Sequence, residues 1–165
     1  MRALIVALFL IVSAGSSLVV SAAAGAAQPP KPGTEPAPTA AAELKQMQGS
    51  WGYHSQTIGG WELPKDRWDA IWVKVEGDLM TKTGRAGGGL KYKIKLDPAA
   101  DPKTIDLVSH EHPSGKTFIH KGIYRWEDGV LRLCFDNTGK ERPKEFVSPD
   151  GQDNIYMSVL KRKEK

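Results

Sequence analysis

A single cysteine, Cys134, is the only thiol in this chain, which excludes an internal disulfide framework. It falls inside the apolar run Leu131 to Phe135, where a buried, inert thiol is expected, because no helix start or basic cluster nearby would lower its pKa. Catalytic constellations are also missing. There is no GxSxG, no Cys/His pairing that the sequence brings together, and no pair of acids at a readable spacing. The chain is therefore expected not to be an enzyme and to require no cofactor. Charge of one sign is scarce: 23 Lys and Arg against 19 Asp and Glu leave +4, too mild to single out nucleic acid as a partner. Long helix-forming runs are few, whereas 17 glycines and 11 prolines punctuate the sequence, which favours a turn-rich, all-β chain.

Extended apolar sequence is confined to the beginning. Residues 1–27 read as a cleavable secretory signal peptide: Arg2 supplies the positive start, Leu4 to Val20 an apolar core, and Ala22-Ala23-Ala24 or Gly25-Ala26-Ala27 a small-residue cleavage zone. A retained anchor is the alternative. No cysteine lies near the cut, which excludes bacterial-type lipid attachment there. No later run approaches the ~18 apolar residues that a spanning helix needs. Once the leader is removed, no stable membrane span is expected, and the chain is expected to be secreted or periplasmic. Residues 28–42 form a Pro/Ala-rich linker with no apolar pattern to bury, followed by one domain over residues 43–163.

Within that domain the hydrophobic period is two. Leu90, Tyr92, Ile94 and Leu96 alternate with Lys91, Lys93 and Lys95, the pattern of a half-buried strand. Ile71, Val73 and Val75 alternate in the same way, and Gly77-Asp78 then turns the chain into Leu79 to Thr83. The strongest signal is Phe118 to Phe135, two strand-like runs separated by Asp128-Gly129, a dipeptide suited to a tight hairpin turn. Further strands are expected at Thr104 to Val108, around Phe146, and over Ile155 to Leu160. A short helix is expected over Ala41 to Met47. About eight to ten short strands joined in sequence predict an antiparallel up-and-down β-barrel, whose closure removes exposed sheet edges.

Leu44 with Gly49-Ser50-Trp51 resembles the helix-then-Gly-x-Trp opening of lipocalin-like (calycin-like) barrels. Five further pieces, DPAADPKTIDL (Asp97 to Leu107), GIY (Gly122 to Tyr124), LRLCF (Leu131 to Phe135), RPKEF (Arg142 to Phe146) and LKR (Leu160 to Arg162), resemble an uncharacterised secreted domain family of planctomycete type, itself lipocalin-like. The resemblance runs from about Leu44 to Arg162. It implies a fold and no particular activity, since function resides in sites rather than folds.

Candidate ligand-binding residues follow from the inward face of such a barrel: Trp51, His120, Tyr124, Trp126 and Leu133. Period two places His120 and Phe118 on the face of Tyr124 and Trp126, although Ile119 and Ile123 also demand burial. His110-Glu111-His112 is the most metal-like group, yet Pro113 breaks any helix, and an exposed turn accounts for it, so no metal site is assigned. The Gly-rich loop at residues 84–89 lacks the Lys-Ser/Thr of a P-loop and reads as a hairpin connection. Trp61 and Trp68 fall in loop-like sequence, where they either pack or present an aromatic surface. The leading expectation is an exported, non-enzymatic domain that binds a small apolar or amphipathic molecule in the barrel. The alternative is a structural or interaction module with a filled core that binds an envelope protein or polysaccharide. Side chains alone can fill a barrel of eight strands, so cavity volume separates the two.

Overall fold

A computed structural model describes residues 38–163, apart from residues 85, 86, 88, 111 and 113. The expected signal peptide and most of the expected linker lie outside the described residues. The first element is α1 (Ala40–Met47), which begins inside the stretch read as linker. Thr39 caps it: its backbone is extended and its hydroxyl accepts from the Ala42 N–H at 3.2 Å, satisfying one of the free donors at the helix start. Glu43 and Met47 stand one turn apart on the same face, and both are buried. The helix ends where Gly49, at φ 109°, takes a conformation that a side chain would resist.

Nine strands follow among the described residues: β1 (Gly49–Ile58), β2 (Trp61–Glu62), β3 (Trp72–Glu76), β4 (Leu79–Thr83), β5 (Gly89–Asp97), β6 (Thr104–His110), β7 (Ile119–Glu127), β8 (Val130–Asp136) and β9 (Ile155–Arg162). A single turn of helix, α2 (Lys65–Trp68), lies between β2 and β3. Every neighbouring pair is antiparallel, and β1 pairs with both β3 and β9. The result is a closed eight-stranded up-and-down barrel, lipocalin-like in architecture, with β2 added beside β1.

The β7–β8 hairpin shows how local chemistry sets this topology. Asp128 and Gly129 both have positive φ, 50° and 76°, as a two-residue turn between twisted strands requires. Glu127 then faces Val130 and the register is fixed: Trp126 opposite Leu131, Tyr124 opposite Leu133, Gly122 opposite Phe135. Those pairs face inward. Gly122 is needed where it stands, because a Cβ there would come within 2.3 Å of the Phe135 ring. Ile123 and Cys134 face outward and are buried all the same, under Phe146 and Met157. Residues 137–154, the chain between β8 and β9, run over the outer wall as a strap. Arg142 holds the strap down: its Nη1 donates to the Gly122 carbonyl at 2.6 Å and the Ile105 carbonyl at 3.2 Å, and its Nη2 pairs with Asp106 at 2.7 Å. The strand expected around Phe146 is absent. Pro143 and Pro149 on either side of it lack the N–H that a ladder needs.

At the junction of first and last strands, the Arg162 guanidinium stacks over the Trp51 ring at 4.4 Å. It donates to the carbonyls of Gln48 at 2.7 Å and Gln46 at 2.5 Å. The Trp51 indole N–H donates to the Met47 carbonyl at 2.8 Å. Carbonyls left free at the end of α1 are thus satisfied by β1 and β9 together. Arg162→Ala should lower stability by about 2 kcal/mol, read as a lower urea midpoint with an unchanged slope. Arg162→Lys should recover less than half of that, because a lysine cannot reproduce the planar fork.

Candidate functional site

The two ends of the barrel differ. At the α1 end, side chains fill the interior. Trp51 and Trp126 pack with ring centroids 5.7 Å apart, and Tyr124 is wholly buried beside them. Glu43 enters from the helix, accepts from the Trp126 indole N–H at 2.7 Å, and forms an ion pair with Lys103. The Tyr124 hydroxyl has no hydrogen-bond partner in satisfactory geometry. Burial raises its pKa, and the charges of Glu43 and Asp97 push it the same way. A carboxylate that is only 3 % exposed is tolerated here because Lys103 supplies the counter-charge and Trp126 a donor.

At the opposite end the interior opens into a cavity of about 320 Å³. Its apolar wall includes Val73, Met80, Leu107, Leu133, Phe135 and Leu160. Its polar groups are Tyr53, Gln56, Lys82, Tyr92, His120, Asn137, Tyr156 and Ser158, and among the described residues no Asp or Glu belongs to the lining. Lys82 Nζ sits 5.5 Å from the centre of the Tyr53 ring. His120 meets Tyr92 edge-on at 5.4 Å, and its Nδ1 is buried without a partner. Burial lowers the His120 pKa. A hydrogen bond with the Asn137 backbone works the other way, the Lys82 charge lowers it further, and Asp136 raises it. Burial likewise raises the Tyr92 pKa, against the opposing pull of Lys82.

The five residues expected to bind ligand therefore divide between the two ends. His120 and Leu133 line the cavity. Trp51, Tyr124 and Trp126 stand together in the packed end, with α1 against them. Phe118 precedes β7, is 42 % exposed, and adjoins Tyr92 and His120 beside the cavity without lining it. The expectation passed over Lys82, Gln56 and Tyr53. The signal for Lys82 was present: Met80 and Lys82 are two apart on β4, so a buried methionine carries the lysine inward with it. Gln56 escapes simple alternation because the β1 register shifts between Tyr53 and Ser55.

None of the remaining candidates lines the cavity. His112 shares a hydrogen bond of 2.8 Å with the Ser114 hydroxyl and packs on Phe118 at 4.8 Å. Glu111 is outside the described residues, and among the described residues no three His, Cys, Asp or Glu side chains gather as a metal would require. Trp68 is buried on α2, donating to the Leu63 carbonyl at 3.0 Å, whereas Trp61 on β2 is 60 % exposed. Cys134 lies under the strap, its thiol directed at the Val147 carbonyl, and burial pushes its pKa up to about 11. Asp136 is buried too. Burial alone would raise its pKa, but hydrogen bonds from Thr138, Glu141 and Asn154 more than offset this and hold it below the ordinary carboxylate value.

Two measurements follow from these environments. In the folded state His120 resists protonation, whereas the unfolded chain takes up that proton near the ordinary value of 6.5. The unfolded state then binds more protons, so stability should fall as pH drops below about 6.5. Urea midpoints across that range should show the slope, and His120→Asn should flatten it. Asp136 acts in a separate window: its contribution persists above about pH 4 and is lost only as pH falls through its depressed folded value. Cys134 should resist iodoacetamide at about pH 8 in the folded protein and react on unfolding, as followed by mass spectrometry. No family model, curated protein or solved structure matches this chain, so the reading of the site stands on its geometry and chemistry.

Proposed function

We propose that this domain is an exported, non-enzymatic binding protein that holds a small apolar or amphipathic molecule in the open end of its barrel, and that it belongs with the secreted, planctomycete-type lipocalin-like domains that its sequence resembles. The observation that carries the reading is the cavity of about 320 Å³, whose wall combines aliphatic and aromatic side chains with groups that can hydrogen-bond. Ligand sites characteristically have this composition, and this volume lies at the small end of their range. The leader-like residues 1–27 support export. The only thiol, Cys134, faces the strap rather than the cavity, which agrees with a binding role rather than nucleophilic chemistry.

A neutral naphthylamine dye tests this directly. Its emission should rise on mixing with the folded protein and saturate at one dye per chain. Leu107→Trp, which places an indole in the cavity, should reduce the affinity at least about tenfold while the circular dichroism spectrum is retained. No gain in emission, or a gain that Leu107→Trp leaves unaltered, would exclude the interior as the site. The exposed ring of Trp61 supports a second reading, docking of an envelope protein or polysaccharide on the outer face. That reading requires capture of a partner from envelope extract that Trp61→Ala abolishes.

A further inference from the structure

We propose that the bound molecule is an anion, a carboxylate-bearing amphiphile whose head group Lys82 meets inside the barrel mouth. The inference rests on the binding reading above and adds the chemical class of the ligand. Lys82 stands between Val73 on β3 and Leu90 on β5 as their cross-strand partner, and both neighbours line the cavity. Directly paired residues share a face of the sheet, so all three belong to the inner wall. Lys82 forms no ion pair among the described residues, and no carboxylate lines the cavity.

The opposite end shows what this chain does when a lysine meets a buried interior. There Glu43 is supplied to Lys103, and Trp126 completes the carboxylate's hydrogen bonding. Around Lys82 the cavity lining supplies tyrosine rings, the Gln56 amide and a histidine whose Nδ1 has no partner, and no carboxylate among the described residues. An ammonium in a largely apolar pocket is stabilised by an opposite charge close by, and a ligand carboxylate provides one. The surrounding polar groups offer that head group further hydrogen bonds, while Met80, Leu107 and Leu133 face its tail.

Isothermal titration of the whole chain with decanoate, decanol and decylamine separates charge from chain length. Decanoate should bind at least about tenfold more tightly than decanol, as a charge-assisted hydrogen bond implies, and decylamine should bind most weakly. Lys82→Met should erase the preference for decanoate while leaving decanol affinity nearly unchanged, and Lys82→Arg should retain it. Equal binding of decanoate and decanol would overturn the proposal, as would a preference that persists in Lys82→Met. In either case, continued binding of the neutral dye shows that only the head-group inference has failed. If neither the dye nor any of the three compounds binds, the cavity reading fails first and the head-group inference with it.

Discussion

Everything inside this barrel depends on the ladder between its first and last strands. Strand β1 is paired with β3 on one side and β9 on the other, so closure joins residues separated by most of the domain. Backbone hydrogen bonds alone would leave such a seam at the chain end prone to fraying. The clasp of Arg162 over Trp51 ties the last strand to the carbonyls at the end of α1, and Trp51 is tied to Met47 in turn. A cation, an aromatic ring and a helix terminus therefore share one contact. Because Gly49 lacks a side chain, Arg162 can lie close against it, and a Cβ would come within 3.2 Å of Nη1.

That seam also explains why the two ends are unlike. The helix precedes β1, so its buried residues can reach only the end where β1 starts and β9 finishes. Met47 and Glu43 occupy that end, and the large rings of Trp51, Tyr124 and Trp126 pack against them. Nothing equivalent enters at the far end among the described residues. The strap between β8 and β9 lies instead on the outer wall, where it buries Ile123 and Cys134, and, Asn137 apart, it leaves the mouth lined by strand residues. Apolar residues that alternation assigns to an outward face can thus belong to a second, smaller core. The placing of Ile123 and Cys134 is the case in point.

Much of the fold was legible because strand alternation is a short-range property. Lys91, Lys93 and Lys95 lie outside with Ile94 buried opposite, and Asp128-Gly129 makes the turn that its chemistry requires. The candidate site was only half legible. Sequence period places residues on a face but says nothing of depth along the barrel, and depth is what separates His120 from Tyr124 on one inward-facing row of β7. Lys82 was obscured by composition, since a lysine on a strand is ordinarily assigned to solvent. The strap was illegible for a different reason. Residues 137–154 have no period, and they drape over a surface that exists only after closure. Glu43 likewise looks like a first-turn surface acid until the barrel brings Lys103 and Trp126 to it.

The polar groups inside the barrel give the final step of the argument. A chain selected only for a stable interior would fill both ends, because each void loses packing contacts and each unpartnered polar group costs desolvation energy. The α1 end comes close to that solution: its acid, its lysine and both indoles are paired. Among the described residues the far end departs from it in three ways at once, with an open volume, an ammonium without an internal counter-charge, and a buried imidazole nitrogen without a partner. Each departure alone has an ordinary explanation, such as a lysine extending its head to water. Together, within one cavity, they concentrate unsatisfied chemistry where solute can enter, and local departures from stable packing of this kind are expected at binding sites.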